Sequence, residues 1–182
     1  MSRMLRRAGI ADLDGIMAIE RATFPEDAWS DEMMRRELEQ EHGHYLVVVD
    51  DEEPGTVLAY AGLLAARGSG EGDIQTIAVD ERLRGLGIGR ALMQAQVAEA
   101  RRRGAERLFL EVRADNEAAH RLYRSLGFVD LAVRPRYYRD GADAVSMRLD
   151  IPPVTTTTAD APGAPAAAAT AVDRPVPTEE AP

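Results

Sequence analysis

The sequence predicts a mixed α/β fold, α+β in that antiparallel and parallel pairings share one twisted sheet, with about seven strands flanked by about four helices. Two observations carry that prediction. Short runs rich in β-branched and aromatic residues alternate with segments whose apolar residues recur at helical spacing, in the order β-α-α-β-β-β-α-β-α-β-β. Early strands joined by short turns pair antiparallel, whereas later ones are separated by helices long enough for a crossover. Helices then cover both faces of the sheet.

Residues 4–7 form a short first strand. The helix after it buries Leu13, Ile16, Met17 and Ile19, has Asp12 as its candidate cap and ends near Phe24-Pro25. Ser30 caps a second helix, with Asp31 and Glu32 in its positive first turn, that stops between Gln40 and Gly43. Residues 45–49 and 56–64 are strands of a hairpin turned at 52–55, and 74–79 is the next strand. Ile88, Ala91, Leu92, Ala95 and Ala98 set a third helix that runs to about Arg103 and stops at Gly104. Residues 108–112 are a buried strand, and the last helix runs from near Asn116 to Leu126, stopped by Gly127. Strands at 128–133 and 144–149, with a turn at Asp140-Gly141, complete the order.

Composition divides the 182 residues into one domain over 1–150 and a tail over 151–182 that holds seven of the ten prolines. A segment so poor in apolar pattern cannot offset its ordering entropy, so the tail is expected to be disordered. The chain has no cysteine, no apolar run long enough to span a bilayer and no apolar signal segment behind Met1. These point to a cytoplasmic protein without membrane contact. A net charge of −9 argues against direct nucleic-acid binding and for a basic protein or peptide as partner. All 22 basic residues are arginine, which by itself indicates no mechanism. His42, His44 and His120 show no metal-ligand spacing with acids, so they are expected at the surface or in loops, with no metal.

The stretch around which the chain is organised is Arg84-Gly85-Leu86-Gly87-Ile88-Gly89-Arg90, lying between the end of a strand and the start of a helix. The first N–H groups of a helix have no intrahelical partner and carry about half a positive charge, and glycines let an anion approach them. A dinucleotide fingerprint fails on spacing, because its third glycine would fall at Arg90 or Leu92. No Gly-Lys-Ser/Thr sequence follows, which excludes a nucleoside-triphosphate P-loop. An ordinary glycine-rich turn remains the alternative.

The loop resembles the R/Q-x-x-G-x-G/A pyrophosphate loop of the GCN5-related N-acetyltransferase (GNAT) family. Further matches are Leu110-Glu111-Val112-Arg113-Ala114-Asp115-Asn116, Ala119, Leu122-Tyr123 and Ser125-Leu126-Gly127-Phe128, with Phe24-Pro25, Trp29-Ser30 and Tyr137-Tyr138 at either end. Together they are most like the bacterial RimI-type ribosomal-protein-alanine N-acetyltransferases, over residues 4–149 in element order. Ala28 departs from the pattern, since the family often has proline before Trp-Ser. The resemblance implies a GNAT-like fold and acetyl-CoA as cosubstrate. It also implies cofactor contacts from the loop residues, from the backbone of Ile77, Ala78 and Val79, one of whose N–H groups would hold an oxyanion, and from Asn116.

Asn116 and Tyr123 lie two helical turns apart, about 10 Å along the axis, with Ala119 between them. An amide, a small residue and a phenol on one face leave room for a slender chain, which the resemblance identifies as pantetheine. A plain helix cap is the alternative for Asn116, and a core aromatic for Tyr123. The resemblance makes Tyr123 the acid that protonates a departing thiolate, a role suited to a phenol of pKa about 10. Glu111 is a carboxylate in an otherwise apolar strand, where it needs a partner or a purpose. The two readings are an ion pair with Arg113 and a general base, acting directly or through water. Phe24, Trp29, Tyr137 and Tyr138 are implied to wall the acceptor groove, with an edge-strand aromatic pair as the alternative for the tyrosines.

The function so implied is transfer of acetyl from acetyl-CoA to the N-terminal amine of a protein, with a basic ribosomal protein beginning with alanine as the model acceptor. An α-amine of pKa about 7.8 is partly neutral at pH 7, so a modest carboxylate base is adequate for it. The absence of cysteine favours a ternary complex over a covalent acyl-enzyme. The alternatives are acetylation of a lysine or small-molecule amine, or a non-catalytic acyl-CoA-binding regulatory module.

Overall fold

The computed structural model describes residues 3–53 and 55–152. Its strands are β1 (Arg3–Arg7), β2 (Gly43–Asp50), β3 (Val57–Leu64), β4 (Glu71–Val79), β5 (Arg107–Arg113), β6 (Val129–Arg134) and β7 (Ala144–Asp150). Its helices are α1 (Leu13–Thr23), α2 (Asp31–Glu39), α3 (Ile88–Arg102) and α4 (Glu117–Ser125), with one-turn 3-10 helices at Ile10–Asp12 and Glu81–Leu83. One seven-stranded sheet runs β1-β2-β3-β4-β5-β7-β6, antiparallel at every step except the parallel pair β4–β5 that α3 connects. The predicted mixed sheet and all eleven elements are present.

Alternation along β2 and β3 places the helices. Tyr45, Val47, Val49 and Tyr60 point to one face and pack on Leu13, Ile16 and Met17 of α1 and Met34 of α2. Leu46, Val48, Ala59 and Ala61 point to the other and meet Ile88 and Leu92 of α3. A third cluster joins Leu108, Leu110 and Val112 of β5 and Met147 of β7 to Met93 and Ala100 of α3 and Tyr123 of α4. This period-2 sidedness gives a single sheet two apolar faces to cover. Among the described residues no helix is long and apolar enough to cross a membrane.

Local signals behaved unevenly. Ser30 caps α2 as expected, its Oγ accepting the Met33 N–H at 3.2 Å. Asp12 does not cap α1: its carboxylate accepts from Nη2 and Nη1 of Arg6, at 2.7 and 2.8 Å, and from the Gly9 N–H at 2.9 Å. The charged partner is the stronger donor and lowers the Asp12 pKa. His44 lies in β2 and pairs its Nδ1 with Gln96 Oε1 at 2.8 Å, while His120 is buried in α4 with Nε2 3.2 Å from the Arg113 carbonyl. Neither is the surface or loop residue that the sequence suggested. The packed fold extends to Ile151, which is buried and donates its N–H to the Glu106 carbonyl at 2.7 Å. The expected tail from Pro153 onward, Met1, Ser2 and Pro54 of the hairpin turn lie outside the described residues.

Gly62 on β3 makes room for the Tyr45 ring, which crosses it to donate its hydroxyl to Gln75 Oε1 at 3.0 Å. A Cβ at position 62 would stand 2.4 Å from that ring. Gly62→Ala is therefore expected to cost about 1–3 kcal/mol and to lower the melting temperature by roughly 3–10 °C in thermal denaturation.

Candidate active site

The site begins where two strands part. The β4–β5 ladder covers Glu71–Ile74 against Arg107–Leu110 and ends there. Beyond it β4 remains paired with β3 as far as Val79↔Ala59, and β5 with β7 as far as Arg113↔Ala144. Gln75 is an extra residue in β4, since Gly62 faces Thr76 and Leu63 faces Ile74. Such a bulge bends its strand and increases the local twist. A cavity of about 670 Å³ occupies the fork, within the range of ligand sites. Ile77, Ala78 and Val79 of β4, Glu111, Val112 and Arg113 of β5, and Ala119, Leu122 and Tyr123 of α4 line it.

One end of the cavity is the N-terminus of α3. Gly85 and Gly87 hold φ of +78° and +81°, a region that other residues adopt only with strain. Gly87 is the N-cap and supplies no side chain, the first turn holds no acid, and the first helical bond runs from the Ala91 N–H to the Gly87 carbonyl. The N–H groups of Ile88, Gly89 and Arg90 are thus left for a ligand, at the positive end of a 15-residue helix. A Cβ at Gly85 or Gly87 would meet no atom within 4 Å, so the space before the loop is open. Asp80 does not oppose an anion there: the side chain of Arg82 pairs with it at 2.7 Å and holds its carboxyl below the usual range. Arg84 donates from Nε to the Val79 carbonyl at 3.3 Å, and Arg90 from Nη2 to Ser125 Oγ at 2.7 Å. The residues present fit a pyrophosphate. Every cofactor residue named from sequence lines the cavity except Leu86, which is 58% exposed and does not.

Glu111 is the first residue of β5 past the last pair with β4, so it stands at the branch of the fork. The alternative reading of Glu111 as the ion-pair partner of Arg113 is not what the structure shows. Arg134 Nη1 lies 3.3 Å from Glu111 Oε1, and Ser146 Oγ, opposite it on β7, lies 3.5 Å away. Arg113 is taken by Asp140 at 2.6 Å and by Asp115 at 3.1 Å, and these bonds raise its pKa further. Tyr123 is 6% exposed, packs its ring 5.9 Å from Phe128 and also faces the cavity. It is both a core aromatic and a wall of the site. Asn116 caps α4 through Oδ1, accepting the Ala119 N–H at 3.1 Å, and also lines the cavity, so its amide NH2 is the half available to a ligand.

Phe24, Trp29, Tyr137 and Tyr138 line the other end. The tyrosines belong to the loop between β6 and β7, not to an edge strand, and meet edge to face at 5.2 Å. Asp27 ties the two loops at this mouth: it accepts the Arg139 N–H at 3.1 Å and lies 3.6 Å from Arg113. Arg113 also stacks on the Tyr138 ring at 4.8 Å, and Arg134 on Tyr137 at 4.7 Å. Sequence reasoning passed over Asp27, Gln75, Thr76 and Glu20, all of which line the cavity. Only Glu20 left a signal, an acid three and four places beyond Met17 and Ile16 on the buried face of α1. Among the described residues no group of three or more His, Cys, Asp or Glu side chains is placed to hold a metal ion.

Comparison with known proteins agrees with this geometry. The chain is 42% identical over 128 residues to the N-alpha-acetyltransferase RimI of Mycobacterium tuberculosis, covering 69% of this chain and 77% of that one. It is 34% identical over 150 residues to an N-alpha-acetyltransferase of Sulfurisphaera tokodaii, covering 79% and 90%. The crystal structure of the ribosomal-protein-S18-alanine N-acetyltransferase from Escherichia coli superposes with a TM-score of 0.74 at 30% identity, over 87% of this chain and all of that one. The profile of the Acetyltransferase (GNAT) family matches residues 13–128, from the start of α1 to the end of the turn after α4, and the chain belongs to that family of acetyltransferases.

Proposed function

We propose that this enzyme acetylates the N-terminal α-amine of a protein, with a ribosomal protein beginning with alanine as the leading acceptor class. One observation carries the reading: an acid-free helix N-terminus, a carboxylate at a strand fork and a phenol from the facing helix open into one cavity. The relatives named for N-alpha-acetylation, one of them for the alanine of a ribosomal protein, support the acceptor class. The net charge of −9 suits a basic acceptor, and such a substrate implies a cytoplasmic setting.

Acetyl-CoA supplies an activated acetyl group as a thioester. The N–H groups of Ile88, Gly89 and Arg90, with Arg84 beside them, receive its pyrophosphate. Of the backbone groups over residues 77–79, those of Ala78 turn to β3, while those of Ile77 and Val79 face away from it and hydrogen-bond the pantetheine arm, with Asn116 on the other side. One of those N–H groups stabilises the oxyanion as the amine attacks. Glu111 takes the amine proton, directly or through water, and Tyr123 donates to the departing sulfur. Phe24, Trp29, Tyr137 and Tyr138 wall the groove that admits the first acceptor residues.

Incubation with acetyl-CoA and peptides beginning with Ala, Ser, Thr or Met, followed by mass spectrometry, tests the proposal. Modification confined to lysine side chains or small amines replaces the acceptor class, and binding without turnover makes the chain a non-catalytic acyl-CoA module. Three variants test the roles. Gly87→Val, which places a branched residue at φ +81°, is expected to weaken acetyl-CoA binding at least tenfold in calorimetry, or roughly 1.4 kcal/mol. Glu111→Gln is expected to lower turnover by about 10²-fold at pH 7 and to recover in part above pH 9, where the amine loses its proton unaided. Tyr123→Phe is expected to keep acetyl-CoA affinity and to show no such recovery, because the missing proton is one the enzyme donates.

A further inference from the structure

Glu20 is a carboxylate at 1% exposure, on the face of α1 that packs against the sheet. A buried charge survives only when its lone pairs are used, and those of Glu20 are used by two separate segments, one of which passes the contact on to a third. Oε1 accepts the backbone N–H of Trp29 at 3.0 Å, in the segment between α1 and α2. Oε2 accepts the hydroxyl of Tyr60 on β3, whose oxygen lies 3.1 Å from Thr76 Oγ1 on β4. Burial and the adjacent carboxylate push the Tyr60 phenol well above its ordinary pKa, so it remains a donor to Glu20. Thr76 is one residue past the Gln75 bulge and one before Ile77, and Glu20, Trp29 and Thr76 all line the cavity.

We infer that Glu20 is a positioning residue for the acceptor: through the Trp29 amide on one side and the Tyr60–Thr76 pair on the other, it registers the acceptor-side segment carrying Phe24 and Trp29 against the strand that receives the acetyl donor. The segment needs such a tie. Residues 24–30 lie between two helices and contribute Phe24 and Trp29 to the core cluster only as partly buried members. Ala28 gives the backbone before Trp29 none of the fixed φ that a proline would. Asp27 ties the same mouth to the Arg139 N–H of the loop between β6 and β7 and, at 3.6 Å, to Arg113 at the outer end of β5. Glu20 joins the segment to the sheet. An amide hydrogen bond to a carboxylate is also stronger than one between neutral groups, which suits a tie meant to hold one loop conformation.

The acceptor role rests on the function proposed above, and the test separates the two. Trp29 is the only tryptophan in the chain, so its fluorescence reports this segment without any reference to activity. Glu20→Leu removes both acceptors; its Trp29 emission is expected to shift to longer wavelength and to quench more readily with acrylamide. The KM for an N-terminal peptide should rise about tenfold while acetyl-CoA affinity stays within about twofold. Glu20→Gln retains an oxygen for the Trp29 N–H and presents its amide to the Tyr60 oxygen, so it is expected to resemble the parent in both readouts. Tyr60→Phe, which leaves Oε2 without the phenol, is expected to shift both in the direction of Glu20→Leu, and it carries the test if Glu20→Leu does not fold. Unchanged Trp29 emission, or unchanged acceptor KM, in the folded disrupting variant would overturn the assignment. A Glu20→Gln enzyme as impaired as Glu20→Leu would overturn it as well, since the charge and not the tie would then be what the reaction uses. If the parent enzyme acetylates no N-terminal peptide, the proposed function fails while the fluorescence comparison still decides whether Glu20 holds the segment.

Discussion

β4 and β5 are hydrogen-bonded from Glu71↔Arg107 to Ile74↔Leu110 and then separate, and the rest of the site follows from that separation. A parallel pair that continued would satisfy its own backbone groups and leave nothing for a ligand. The separation does not break the sheet, because each strand keeps its other neighbour, β3 for one and β7 for the other. The Gln75 bulge marks where β4 changes course, and the Tyr45 hydroxyl holds that residue from beneath, across Gly62. Glu111 owes its position to the same event, as the first residue of β5 released from the ladder.

The distribution of charge complements this geometry. The chain is acidic overall, yet the loop before α3 offers an anion an uncapped helix end with two arginines beside it. Acids close to the site are engaged by cations or donors at short distance: Asp80 by Arg82, Asp115 and Asp140 by Arg113, Glu20 by Tyr60 and Trp29. The contacts of Glu111 with Arg134 and Ser146 are longer, at 3.3 and 3.5 Å, and its side chain opens on the cavity.

Several residues serve the fold and the site at once. Asn116 spends Oδ1 on the α4 cap and keeps its NH2 toward the cavity; Tyr123 packs on Phe128 and faces the fork. For such residues a structural reading and a functional reading are not competitors. The same atoms that hold the helix in place aim the remaining ones, which lowers the cost of ordering them when a ligand arrives.

Element order, the two-faced sheet, the Ser30 cap and the glycine loop with its residues at the α3 N-terminus were legible in the sequence, because each depends on residues within a few places of one another. Period-2 and period-3.6 patterns, caps and turns are local, and they carry their signal in spacing alone. What tertiary structure decided is which partner each charged or polar side chain takes. Asp12 went to Arg6 and not to its own helix, Glu111 to Arg134 and not to Arg113, and Arg113 to acids 2 and 27 positions away. The Glu20 tie joins residues 9 and 40 positions apart, and the bulge at Gln75 appears only when the register with β3 is known. A carboxylate pairs with whichever donor the folded chain brings within about 3 Å, and that distance is set by the packing of α1 on the sheet and by the path of the loops, not by separation along the sequence.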